Sequence, residues 1–289
     1  MMHKKMDNSV MDKTTASTEV TIKGSQHFLM HSSTGKREYQ IFVSKPLEEP
    51  PASGYPVIYL LDANSVFGTM VEAVRLQSRR PEKSGVVPAI IVGIGYATNA
   101  PFSSERYYDF TMPVADSELP ERPDGSPWPS HGGAEDFLKF IEDDLKPEIG
   151  KRYKVDYNSQ TLFGHSLGGL FALYVLFENP YAFQTYIAGS PSLHWNKKWF
   201  REEEDRFICR LNQGNGDISL LLGVGELEGT HKSRMNENVL ELSKRLSLEE
   251  SGVNVQFKEF EEEGHLSVLP PLINRALRFA LKRNVPGKK

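Results

Sequence analysis

Thr161-Leu162-Phe163-Gly164-His165-Ser166-Leu167-Gly168-Gly169-Leu170-Phe171-Ala172 passes from an apolar strand through a tight turn into an apolar helix, and carries G-x-S-x-G at Gly164 to Gly168. A chain that reverses so sharply between strand and helix strains its central residue, and a side chain at Gly164 or Gly168 is expected to collide with neighbouring backbone. The turn lifts the Ser166 hydroxyl out of the sheet. A serine hydroxyl is a poor nucleophile at neutral pH, so a base is expected within hydrogen-bond reach of it.

Outward from this turn the chain alternates apolar strands with amphipathic helices. Pro56–Leu61, Val86–Ile94, Thr161–Gly164, Phe183–Ala188, Ile218–Val224 and Val253–Phe260 read as strands. Helical spacing fills Ala134–Ile149, Leu167–Glu178, Trp199–Leu211, Met235–Ser251 and Val268–Leu281, and a further helix ends near Ser78, with Asn64 or Ser65 as its cap. Ahead of these, Glu19–Ser44 alternates about a turn at Ser32–Gly35 and reads as an antiparallel hairpin. The expected class is α/β, an α/β-hydrolase fold with a mostly parallel central sheet, the N-terminal antiparallel hairpin and helices on both faces.

Residues 1–18 are polar and are expected to form a flexible tail, leaving 19–289 as a single domain, although length alone would admit two. Residues 95–133 form a long Pro-rich, aromatic and charged segment, expected to lie as a loop or lid over the carboxyl ends of the strands.

In this fold the order is nucleophile, acid, histidine, so the base follows Ser166 near the chain end. His265 fits: it follows the last strand, and Gly264 is expected to let the loop bend back. His165 adjoins the nucleophile but is expected to point elsewhere. The acid should follow Ile218–Val224, where Glu228 stands three residues after Gly225, with Glu226 as runner-up and a Ser-His dyad as a further possibility. An oxyanion needs preorganised donors; the Leu167 N–H is one, and Asp62 or Ala63 the second, unless Asp62 merely begins a helix.

The composition, 39% hydrophobic and 25% charged over 289 residues, is that of an ordinary globular protein. A net charge of −4 argues against nucleic-acid binding, and no apolar run is long enough for a membrane span. The one cysteine, Cys209, reads as a small buried apolar residue and suits a reducing compartment, so a soluble cytoplasmic protein is expected. No His/Cys/carboxylate cluster has metal-ligand spacing, and Gly93-Ile94-Gly95 lacks the third glycine of a dinucleotide fingerprint, so neither cofactor nor metal is expected.

Tyr59-Leu60-Leu61-Asp62-Ala63-Asn64, the Gly164–Ala172 stretch, Gly189-Ser190-Pro191-Ser192-Leu193-His194-Trp195-Asn196 and Arg106-Tyr107-Tyr108-Asp109-Phe110-Thr111 resemble the α/β-hydrolase family named Putative esterase. They most resemble its ferric-siderophore branch, the enterobactin, salmochelin and bacillibactin trilactone hydrolases, from about Ile22 to Leu281. Two departures stand out: the family usually has glycine at Ala63 and a second tryptophan at His194. The resemblance implies a small-molecule substrate, a catecholate trilactone, with any iron carried by the substrate. An anionic substrate would call on Arg106, Lys197 and Lys198, and its rings on Tyr107, Trp128 and Trp195. A monomer or weak homodimer is expected, with no nucleic-acid or membrane partner. Another branch of the same family, acting on carbohydrate, thioester or lipid acyl groups, is the alternative, and a non-catalytic binding protein a more distant one.

Overall fold

Alternation along one strand decides the layering. Val57, Tyr59 and Leu61 enter one apolar cluster while Ile58 and Leu60 enter another, so this strand is covered on both faces. In the computed structural model of the protein, residues 19–34, 37–119, 122, 125–211, 217–230, 234–248 and 253–282 are described. The expected tail at 1–18, His231 and the side chain of Cys209 lie outside the described residues.

The strands are β1 (Ser25–His31), β2 (Glu38–Ser44), β3 (Tyr55–Leu60), β4 (Ile90–Gly95), β5 (Val155–His165), β6 (Thr185–Gly189), β7 (Ile218–Gly225) and β8 (Val253–Phe260). They form one sheet in the order β1-β2-β4-β3-β5-β6-β7-β8. β1 pairs antiparallel with β2, and β2 with β4, while every pairing from β4 to β8 is parallel. This is the sheet of the α/β-hydrolase fold.

The helices are α1 (Ala63–Gln77), α2 (Pro81–Ser84), α3 (Arg106–Asp109), α4 (Ala134–Lys139), α5 (Lys146–Arg152), α6 (Leu167–Glu178), α7 (Lys197–Leu211), α8 (Met235–Leu248) and α9 (Leu269–Ala280). Helices α1 and α9 cover one face, and α4 to α8 the other. The helix α6 is buried on every side from Leu167 to Phe177, which anchors the turn at its start deep in the core. No helix among the described residues is long and apolar enough to cross a membrane.

Several boundaries differ from expectation. The Val86 end of the second strand forms only an isolated bridge to Lys282, and β4 begins at Ile90, after Pro88. α4 and α5 join through a π-helical turn at Phe140–Leu145, and the wide turn precedes Pro147, which has no N–H for a tighter ladder. Neither Asn64 nor Ser65 caps α1. The cap position is Asp62 at φ 52, and Asn64 instead accepts from the Tyr96 N–H at 2.9 Å and donates to the Tyr96 carbonyl at 2.9 Å.

Candidate active site

Strand β5 delivers Ser166 to the sheet's carboxyl edge at φ 59 and ψ −117, a conformation costing roughly 1–3 kcal/mol for a non-glycine residue. The chain on either side holds it there. The Ser166 N–H donates to the Gly189 carbonyl at 2.9 Å, and the Ser166 carbonyl accepts from the Ser192 N–H at 3.2 Å. A Cβ at Gly164 would stand 2.0 Å from the Gly168 carbonyl oxygen, so glycine is obligatory there. At Gly168 the nearest atoms would be 3.5 Å away, an ordinary contact, so the collision expected there does not arise.

His265 Nε2 lies 3.0 Å from Ser166 Oγ, and His265 Nδ1 lies 2.7 Å from Glu228 Oε2. The other carboxylate oxygen, Oε1, accepts from Ser190 Oγ at 2.6 Å and from the Gly225 N–H at 2.8 Å. Burial pushes the Glu228 pKa up, but the donors His265, Ser190 and Gly225 outweigh it and hold the carboxyl below its ordinary value. Of the two acidic candidates, Glu228 is therefore the one beside the imidazole. Glu226 points elsewhere, and its Oε2 accepts from the Glu262 N–H at 2.8 Å, which ties the two loops together.

The bend that returns His265 to the nucleophile is not made by Gly264, around which a Cβ would meet nothing within 4 Å. Glu262 makes it at φ 61, and the essential glycine is Gly225, whose Cβ would stand 2.3 Å from the Glu263 carbonyl oxygen. A close approach of the two loops, rather than freedom within one, requires the small residue.

His165 does not point away. Its buried ring lies 4.7 Å from the His265 ring, centroid to centroid, and its Nε2 has no hydrogen-bond partner. Burial first, then the neighbouring His265 and Arg106, lower its pKa to about 3, so this imidazole is neutral at ordinary pH. The N–H groups of Leu167, Asp62 and Ala63 have no acceptor among the described residues. Donors at the start of α6 and after β3 are thus available to an incoming oxygen.

Arg106 is buried and clasps Asp62 with two bonds of 2.8 and 2.7 Å, which neutralises both charges. The pair ties α3, at Arg106, to the turn after β3. Nearby Asp109, also buried, accepts from Arg37, Tyr39 and Tyr96, yet burial prevails and raises its pKa to about 6.

A cavity of about 530 Å³ opens over Ser166 and His265. Tyr107, Trp128 and Trp195 form one wall, with ring centroids 4.9 to 6.1 Å apart, and His194, Leu227 and Met235 complete much of the rest. Arg106 also lines it. Lys197 and Lys198 do not: both are exposed on the first turn of α7, outside the cavity wall. The expected basic patch is thus reduced to one arginine already paired with Asp62. Ser190 and Ser192 escaped the sequence reading as site residues, although both follow a strand at the carboxyl edge, where function concentrates.

The geometry is that of a proton relay feeding a hydroxyl at the mouth of an aromatic cavity. The family model described as Putative esterase matches residues 32–266. The chain is 59% identical to the ferri-bacillibactin esterase BesA of Bacillus subtilis (strain 168), across 97% of this chain and 98% of that one. It is 36% identical to a siderophore enterobactin esterase of Emericella nidulans, across 85% and 90% respectively. The crystal structure of the BES protein from Bacillus cereus, 44% identical, superposes with a TM-score of 0.87 over 93% of this chain and 100% of that one. Elbow, relay and these similarities agree, and the chain belongs to the Putative esterase family of α/β-hydrolases.

Proposed function

We propose that this protein is a serine esterase that hydrolyses the ester bonds of a catecholate siderophore trilactone, with or without bound ferric iron. One observation carries the reading: a continuous path from Glu228 through His265 to Ser166 Oγ, with steps of 2.7 and 3.0 Å, opening into an aromatic-walled cavity.

In the first half-reaction Ser166 Oγ attacks the ester carbonyl carbon while His265 Nε2 takes its proton. The Leu167 N–H, with that of Asp62 or Ala63, receives the developing oxyanion. His265 then returns the proton to the departing alkoxide, leaving Ser166 acylated. A water molecule, deprotonated by the same imidazole, attacks the acyl carbon; as the bond to Ser166 Oγ breaks, His265 Nε2 hands that proton to Oγ and the carboxylic acid leaves. Glu228 fixes the tautomer with Nδ1–H and offsets the imidazolium charge, without itself taking a proton. Tyr107, Trp128 and Trp195 present π faces to the catechol arms. Iron, where present, is cargo of the substrate. We place the reaction in the cytoplasm, with a monomer or weak homodimer as the working unit.

The test compares turnover of ferric and iron-free catecholate trilactones with that of short p-nitrophenyl esters. Hydrolysis of a trilactone is expected, together with fluorophosphonate labelling of the wild type and none of Ser166→Ala. Activity confined to the small esters would reassign the protein to a general carboxylesterase of the family. His265→Ala should cut turnover by several orders of magnitude while substrate still binds, because the base acts on the chemical step.

A further inference from the structure

We propose that Ser190 is a positioning residue of the relay: it holds Glu228 Oε1 so that Oε2 stays aimed at His265 Nδ1. The proposal rests on the esterase reading and adds a fourth side chain to it.

A glutamate has one more rotatable bond than an aspartate, so aiming one oxygen requires that the other be fixed. Glu228 Oε1 is fixed by two donors, Ser190 Oγ at 2.6 Å and the Gly225 N–H at 2.8 Å, and the hydroxyl is the shorter. Ser190 is completely buried, and its own N–H is tied to the Gly223 carbonyl at 2.7 Å, so the hydroxyl is carried by a rigid strand end. Its backbone stands at φ 39, a left-handed conformation that glycine takes without strain. The chain bears a side chain there against that preference, and the use made of the side chain is the bond to Glu228. Two residues on, the Ser192 N–H holds the Ser166 carbonyl at 3.2 Å, so the one segment after β6 braces the acid and the nucleophile together.

The experiment measures the pH profiles of kcat and kcat/KM for wild type, Ser190→Ala and Ser190→Gly on one ester substrate. Losing a charge-assisted donor should lower kcat by about 10- to 100-fold with KM within about twofold. A carboxylate with fewer donors holds protons more tightly, and the titratable and charged groups around it among the described residues include His265, His165 and, across the cavity, Arg106. The acid limb of kcat/KM should therefore move to higher pH. Ser190→Gly should reproduce both effects although it relieves the backbone strain. A Ser190→Ala enzyme with unchanged kcat and acid limb, or recovery in Ser190→Gly, overturns the assignment. Fluorophosphonate labelling of the wild type separates the cases: labelling with normal Ser190 variants rejects Ser190 alone, and no labelling rejects the esterase reading as well.

Discussion

Replacing His165 by glutamine should make the protein markedly less sensitive to acid. The imidazole is held neutral in the fold with a pKa of about 3, against 6.5 for an ordinary histidine, chiefly by burial and then by His265 and Arg106. The unfolded chain protonates this ring as pH drops below 6.5, while the native protein does not until about pH 3. Stability that is complete above pH 6.5 is therefore lost as pH falls, at about 1.4 kcal/mol per unit. By pH 5 the loss is about 2 kcal/mol, and over the whole interval about 5 kcal/mol, against a typical total of roughly 5–15 kcal/mol. Glutamine keeps a polar side chain of similar reach and does not titrate. Urea unfolding of both proteins between pH 8 and 5 should show the wild type losing about 2 kcal/mol more than His165→Gln. Parallel stability curves across that range would mean that the native imidazole takes up protons freely, and the account of a dry, neutral His165 would be wrong.

Glu228→Gln should lower kcat by about 10³- to 10⁴-fold, because an amide facing Nδ1 admits the wrong tautomer, whereas Glu226→Gln should cost less than about tenfold. Steady-state kinetics that reversed this order would transfer the acid role to Glu226. Arg106→Met leaves Asp62 buried and unpaired and should destabilise the fold by about 3–5 kcal/mol in urea unfolding; a change below about 1 kcal/mol would show the pair to be solvated. Gly164→Ala must displace backbone now 2.0 Å from its Cβ, so soluble expression or melting temperature should drop sharply, while Gly168→Ala, with 3.5 Å of clearance, should fold.

What the sequence disclosed was local or ordered along the chain. The elbow at Ser166 announces itself because glycines, an apolar strand and an apolar helix are contiguous. His265 and Glu228 follow from the order of elements and from the distance to Gly225, and the three side chains do converge. What stayed hidden depends on pairs remote in sequence. Ser190 meets Glu228 across 38 positions, and Arg106 meets Asp62 across 44, so neither a brace nor a neutralised cation has any spacing to betray it. The need for a small residue falls on Gly225 rather than Gly264 because it arises where two separate loops touch. Lys197 and Lys198 fall outside the site for a similar reason: a charge near the site in sequence still needs the helix to turn it inward, and α7 turns them out. His165 gives no sign of its partner in the local sequence, because it is the returning C-terminal loop that sets a second imidazole against it.

Glu226 binding the Glu262 N–H, and the Leu227 N–H donating to the Glu263 carbonyl at 3.0 Å, zip the loops after β7 and β8 into one piece. That piece hangs from the last two strands of the sheet, β7 and the outermost β8, whereas the serine is rooted next to its centre. Edge strands open locally at lower free energy than the interior. Fraying of this border would draw the imidazole away from a serine and an acid that stay rooted further in, so that under mild denaturant the enzyme falls silent while most of its architecture still stands.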